Sequence, residues 1–145
     1  MKLSNNFTLE ELTKSATATR LKINNTPTKE ATNNLTKLAI NVLQPIRDAW
    51  GAPIVVTSGY RCPALNKATN GSKTSQHMTG AAADIRTLED TTERNRQLFD
   101  LIVNLAKSGK ITCRQIIDEY NYNWVHVAIQ DASHSLQRNN ILHLK

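Results

Sequence analysis

His77 stands seven residues before Asp84 in the run Ser75-Gln76-His77-Met78-Thr79-Gly80-Ala81-Ala82-Ala83-Asp84-Ile85, and a third candidate, His126, sits in Trp124-Val125-His126-Val127-Ala128-Ile129. Imidazole nitrogens and a carboxylate oxygen are donors that zinc accepts, and a catalytic zinc takes three protein ligands and keeps a fourth position open. Two neutral imidazoles and one carboxylate would leave such a centre net positive, able to acidify a water and polarise a carbonyl. The surrounding residues favour this reading. Side chains alternate along a strand, so Asp84 faces away from Ala83 and Ile85, and the three alanines allow close packing around an acid that needs a partner. Val125, Val127 and Ile129 share one face of the second segment, while Trp124, His126 and Ala128 share the other. If the valine face is core, His126 looks into a cleft. His134 and His143 have no such context and are read as surface residues of a polar C-terminal tail, 131–145.

The elements that must position these residues follow from periodicity and turn chemistry. Thr8 and Glu11 read as the capping signal of a short helix in Phe7-Thr8-Leu9-Glu10-Glu11-Leu12, with Phe7 stapling onto Leu12. A loop is expected over 20–28, so that residues 1–27 form a short helix and a loop. From Thr28 to Trp50 the apolar residues recur at three-and-four spacing, which predicts a long core helix kinked at Pro45 by the missing amide. Ile54 to Thr57 is a β-branched strand leaving the sheet at Ser58-Gly59. A short helix fits Pro63 to Asn70, and a second long helix fits Thr91 to Lys107, with Leu98, Leu101, Ile102 and Leu105 on one face. Ile111 to Glu119 and Trp124 to Ile129 read as strands joined by the turn Tyr120-Asn121-Tyr122-Asn123. Two long helices against a small, mostly antiparallel sheet make an α+β domain spanning 1–145.

The bulk properties narrow the function classes. A chain of 145 residues suits one domain with one site. The net charge of +6 favours polyanionic surroundings, but the Lys and Arg residues are scattered, so no specific nucleic-acid partner is expected. No stretch has the length or apolarity of a signal peptide or a membrane span, and the expectation is a cytoplasmic product as synthesised and a monomer. Cys62 and Cys113 are not in a Cys-x-x-Cys pair and are read as buried thiols, with a bridge between them left open.

Together the motifs carry a resemblance. Ser58-Gly59-Tyr60-Arg61, then Asn66, Ser75-Gln76-His77, Gly80, Asp84-Ile85 and Trp124-Val125-His126-Val127 resemble, in kind and order, the peptidase M15 family. The resemblance runs from about Phe7 to Ile129 and is closest to short members associated with phages and prophages. It implies a hedgehog/DD-peptidase-like fold, one zinc ion held by His77, Asp84 and His126, and hydrolysis of peptidoglycan stem peptides by a carboxypeptidase or an endolysin-type endopeptidase. Such a protein would reach the cell wall after release by lysis or a holin. It also implies that Arg61 steadies a substrate carbonyl or carboxylate, a task suited to a permanently charged, bidentate guanidinium. Ser75 falls at a position that contacts substrate or supports the site, Tyr60 beside Arg61 is taken as a further substrate contact, and Gln76 reads equally as a substrate contact or as loop structure.

The proton-handling acid is the open assignment. Many relatives carry an acid three residues before the last histidine ligand, where this chain has Asn123. Other short relatives place it earlier on the preceding strand, where Asp118 and Glu119 stand. Adjacent strand residues face opposite ways, so one of the two enters the cleft. Glu119 is favoured for its longer reach, with Asp118 as the alternative. Loss of hydrolysis, leaving a zinc-containing binding module of the same fold, is the competing functional reading.

Overall fold

The computed structural model describes residues 1–135 and 140–144. Thr28 caps the first long helical stretch by accepting the Ala31 amide on its hydroxyl. Helix α3 (Lys29–Leu38) follows α1 (Leu9–Thr13) and α2 (Ala16–Leu21), and leads through a π turn at Ala39–Leu43 into α4 (Gln44–Trp50). The expected kink at Pro45 takes the form of this π turn. The Gln44 amide bonds back to Ala39 O, widening the helix just where the proline ring would collide with the preceding turn. Gly51, at a φ of 77°, ends α4.

Five strands form one sheet in the order β1-β2-β4-β3-β5. They are β1 (Ile54–Ser58), β2 (Ala82–Thr87), β3 (Gln115–Glu119), β4 (Trp124–Ala128) and β5 (Asn140–Leu144). The first three pairings are antiparallel and β3–β5 is parallel. Helix α5 (Pro63–Ala68) lies between β1 and β2 in sequence, and α6 (Thr92–Lys107) links β2 to β3. Alternation gives the sheet two different faces. Ala83, Ile85, Ile116, Val125 and Val127 are fully buried in one core with Leu35, Leu38, Val42 and Ile46 of the first helical path and Leu98 and Ile102 of α6. Burying each such Leu or Ile is worth about 1.5–3 kcal/mol. The other face carries Asp84, His126, Glu119 and Trp124 and is not covered by these long helices.

Three local expectations are corrected. Ala16–Leu21 is helical, capped by Ser15, where 1–27 were expected to hold one short helix and a loop. The third strand begins at Gln115 rather than Ile111, because 111–114 run as an irregular bend that puts Ile111 and Cys113 into the core. The polar tail is not a bare tail. A turn at Asp131–His134 and strand β5 fold back on the body, while 136–139 and 145 lie outside the described residues. Cys62 and Cys113 are both buried free thiols.

Candidate active site

The register of β2 and β4 places Asp84 directly opposite His126. Paired residues in an antiparallel ladder point to the same face, so both side chains emerge on the open side of the sheet. There His126 Nδ1 lies 2.9 Å from Asp84 Oδ1. His77 arrives from outside the sheet, on a 3-10 turn at Gln76–Thr79. Ser75 caps this turn by accepting the His77 amide at 3.2 Å. Gly80 then takes a left-handed φ of 77° and returns the chain towards β2.

One hydrogen bond fixes the His77 ring. Its Nδ1 is 2.7 Å from Gly59 O. A carbonyl only accepts, so Nδ1 carries the proton and the Nε2 lone pair is left facing Asp84 Oδ1 at 3.4 Å. Gly59 has no room for a side chain, since a Cβ would lie 2.1 Å from the Leu12 carbonyl oxygen. The His77 and His126 rings meet edge to face at 5.2 Å. One donor atom from each of His77, Asp84 and His126 lies within 4.8 Å of the others. Ligands about 2.1 Å from a tetrahedral zinc are separated by about 3.4 Å. The His77–Asp84 spacing of 3.4 Å matches this, the Asp84–His126 pair at 2.9 Å would open slightly, and any donors as far apart as 4.8 Å would draw in. Burial alone would raise the Asp84 carboxyl, but the adjoining His77 and His126 rings outweigh it and hold it well below the usual carboxylate range. The acid is therefore ionised, as a ligand must be.

A cleft of about 1020 Å³ opens over this cluster and is lined by Tyr60, Arg61, Ser75, Gln76, Glu119 and Trp124 among others. Arg61 is tied to the His77 turn, its amide donating to His77 O at 3.0 Å. Its Nη1 reaches Thr69 Oγ1 at 3.2 Å, while the buried Nε has no partner among the described residues. Burial lowers the guanidinium pKa and the nearby Asp84 and Glu119 charges oppose that shift. Glu119 pairs with Trp124, two residues along β4 from the Ile117–His126 pair and on the same face. That diagonal spans roughly 7 Å, within reach of a glutamate. Glu119 Oε2 accepts the Trp124 indole N–H at 2.6 Å.

Asp118 is not brought to the cleft. It points to the helix-covered face, where Oδ1 accepts the Tyr122 amide at 2.5 Å and Oδ2 lies 3.1 Å from His143 Nδ1. The reason is strand parity, because its partner Val125 is a core residue. Gln76 lines the cleft, yet both ends of its amide are engaged by protein, with Nε2 on Ile129 O at 2.6 Å and Oε1 taking Arg114 Nη1 at 3.0 Å. Tyr60 is nearly buried and its carbonyl accepts from Asn25 Nδ2 at 3.0 Å. Sequence reasoning missed Trp124 as the partner of Glu119, and it missed Asp131 and His134. His134 lines the cleft, bonded through Nδ1 to Asp131 and through Nε2 to Thr74 O at 3.0 Å. Only the tryptophan had a legible signal, through its shared face with His126.

A family model described as Peptidase M15 matches residues 5–128, which includes every one of the cleft residues named above except Ile129, Asp131 and His134. The chain belongs to the peptidase M15 family. No curated protein matches it. Membership in the M15 family points to a metallopeptidase-type function, and the His77, Asp84 and His126 cluster is a possible metal site. Among the described residues of this M15 chain, no helix is long and apolar enough to cross a membrane.

Proposed function

We propose that the protein is a zinc-dependent peptidase that hydrolyses peptide bonds in peptidoglycan stem peptides. The observation that carries the reading is the convergence of His77, Asp84 and His126 on one point of a cleft that also holds Glu119 and Arg61. Zinc held by those three residues would supply a Lewis acid that polarises the scissile carbonyl and acidifies water. Glu119 takes the proton of the attacking water and returns it to the leaving amine. The Trp124 indole, bonded to one carboxylate oxygen, holds Glu119 towards the cleft and leaves the other oxygen for the proton. Arg61 steadies the carbonyl oxygen as negative charge develops on it, and its fixed charge in a partly dry site makes that contact stronger than in water. Ser75 and Gln76 act through the turn that carries His77, and Tyr60 forms part of the cleft wall. The net positive charge of the chain suits an anionic wall polymer.

A binding module that retains the metal but not the hydrolysis is the second reading. It is favoured by Asn123, a residue that cannot take a proton, and by the bond already occupying Glu119 Oε2. Incubation with muropeptides, with zinc or with chelator, separates the two. The proposal expects new amino termini, or released terminal residues, in the zinc sample alone, and expects them to vanish in Glu119→Gln. Zinc-loaded wild type that leaves every muropeptide intact favours the binding module.

A further inference from the structure

Asp131 lies beyond the residues matched by the family model, which ends at 128. Its side chain is completely buried. A buried carboxylate must be satisfied by hydrogen bonds, and this one accepts four. Oδ2 accepts the Thr79 hydroxyl at 2.5 Å and Gln76 Nε2 at 3.3 Å. Oδ1 accepts the Ser133 amide at 2.9 Å and faces His134 Nδ1 at 2.9 Å. Gln76 and Thr79 are the two ends of the short turn whose second residue is His77. A turn of four residues has little stability of its own. Asp131 grips it at both ends, and Ile129 O and Arg114 hold the same Gln76 side chain from the β4 and β3 sides. His134 closes the clasp on the loop ahead of the turn through Thr74 O.

We infer that Asp131 is a positioning residue for the metal centre, acting through Thr79 and Gln76 to hold the His77 turn at the distance from Asp84 that zinc needs. The inference rests on the metal-site reading above and adds to it a residue outside the matched core. Groups just outside a metal's own ligands typically change affinity by about 10–100-fold when removed. Asp131 acts one step further out, and the lower end of that range applies.

Zinc affinity, measured by competition with a chromophoric chelator on the full chain, tests this without reference to catalysis. Asp131→Ala is expected to bind zinc about tenfold more weakly. Thr79→Val, which removes only the hydroxyl, is expected to weaken binding in the same direction, and Thr79→Ser to restore it. In the Asp131→Ala background, Thr79→Val should cost little more, since both changes break the same contact. Thermal melts of the metal-free proteins separate positioning from general stability. Variants with a lowered Tm and wild-type zinc affinity would overturn the inference while leaving the metal site standing. Should Asp131→Ala fail to fold, Thr79→Val decides alone, and unchanged affinity in it overturns the inference. Wild type that binds no zinc overturns both the inference and the metal reading beneath it.

Discussion

At the residue scale, two adjacent acids differ by which way they face. Glu119 shares the open face with His126, and Asp118 shares the core face with Val125. Their substitutions should therefore fail in different ways. Glu119→Gln keeps shape and hydrogen bonding but removes the proton acceptor, and is expected to lower kcat by about 10²–10⁴ while zinc stays bound. Asp118→Asn is expected to keep kcat within a few fold and to lower unfolding free energy by about 1–2 kcal/mol, because a buried acceptor of the Tyr122 amide is weakened. Steady-state kinetics and denaturant titration on the same two proteins check both halves. Two of the three candidate donors, Asp84 and His126, were legible because strand alternation is a strict rule, so their faces follow once their neighbours are recognised as core. The same rule showed that only one of Asp118 and Glu119 could enter the cleft. The turn at 120–123 lies where the sequence placed it, so the Glu119–Trp124 pairing followed from it; what the sequence could not supply was the pair of side-chain rotamers that brings the indole N–H onto Glu119 Oε2.

At the element scale, the site depends on joints more than on the long helices. The 3-10 turn bearing His77 enters through a serine cap and leaves through Gly80, whose left-handed φ of 77° and contact with α3 both exclude a side chain. A Cβ there would lie 2.3 Å from the Ala31 carbonyl oxygen. Gly80→Ala is expected to destabilise the fold by about 2–4 kcal/mol, summing the conformational cost and the overpacking against α3, as read by the shift in urea midpoint. Helices were legible where apolar spacing was long, as in Thr92–Lys107, and where a capping signal was conspicuous, as at Thr8. The helix Ala16–Leu21 was not, because only Ala18 of its six residues is buried and no apolar stripe marks it. Strand β5 was hidden for a similar reason. It is an edge strand joined through a parallel pairing with β3, and its residues are half or fully exposed, so no buried pattern announces it.

At the scale of the whole molecule, one core carries the sheet on one side and leaves the other free for chemistry. Cys113 lies fully buried in that core. Burial pushes its thiol up to about 12, from an ordinary value of 9.0. The neutral thiol is the form the folded state holds, so the stability it confers is complete below about pH 9 and declines as pH rises, until the folded-state thiol itself ionises near 12. Across that window the contribution falls by about 1.4 kcal/mol per pH unit. Unfolding titrations of the metal-free protein at roughly pH 8, 9.5 and 11 should show a steeper loss in wild type than in Cys113→Ala. Equal slopes would remove Cys113 as the cause. The alternation of charged and apolar residues over the sheet made this division of faces readable in advance. The clasp formed by Asp131 and His134 was not, because it joins residues more than fifty positions apart in sequence through side-chain hydrogen bonds outside any strand ladder.

Zinc bound jointly by His77, Asp84 and His126 underlies the proposed function. Metal analysis of the purified chain, equilibrated with zinc and then dialysed, is the decisive test. One zinc per chain is expected in wild type and essentially none in His126→Ala, with both proteins folded by circular dichroism. Folded wild type that retains no zinc, or His126→Ala that retains as much as wild type, would contradict it.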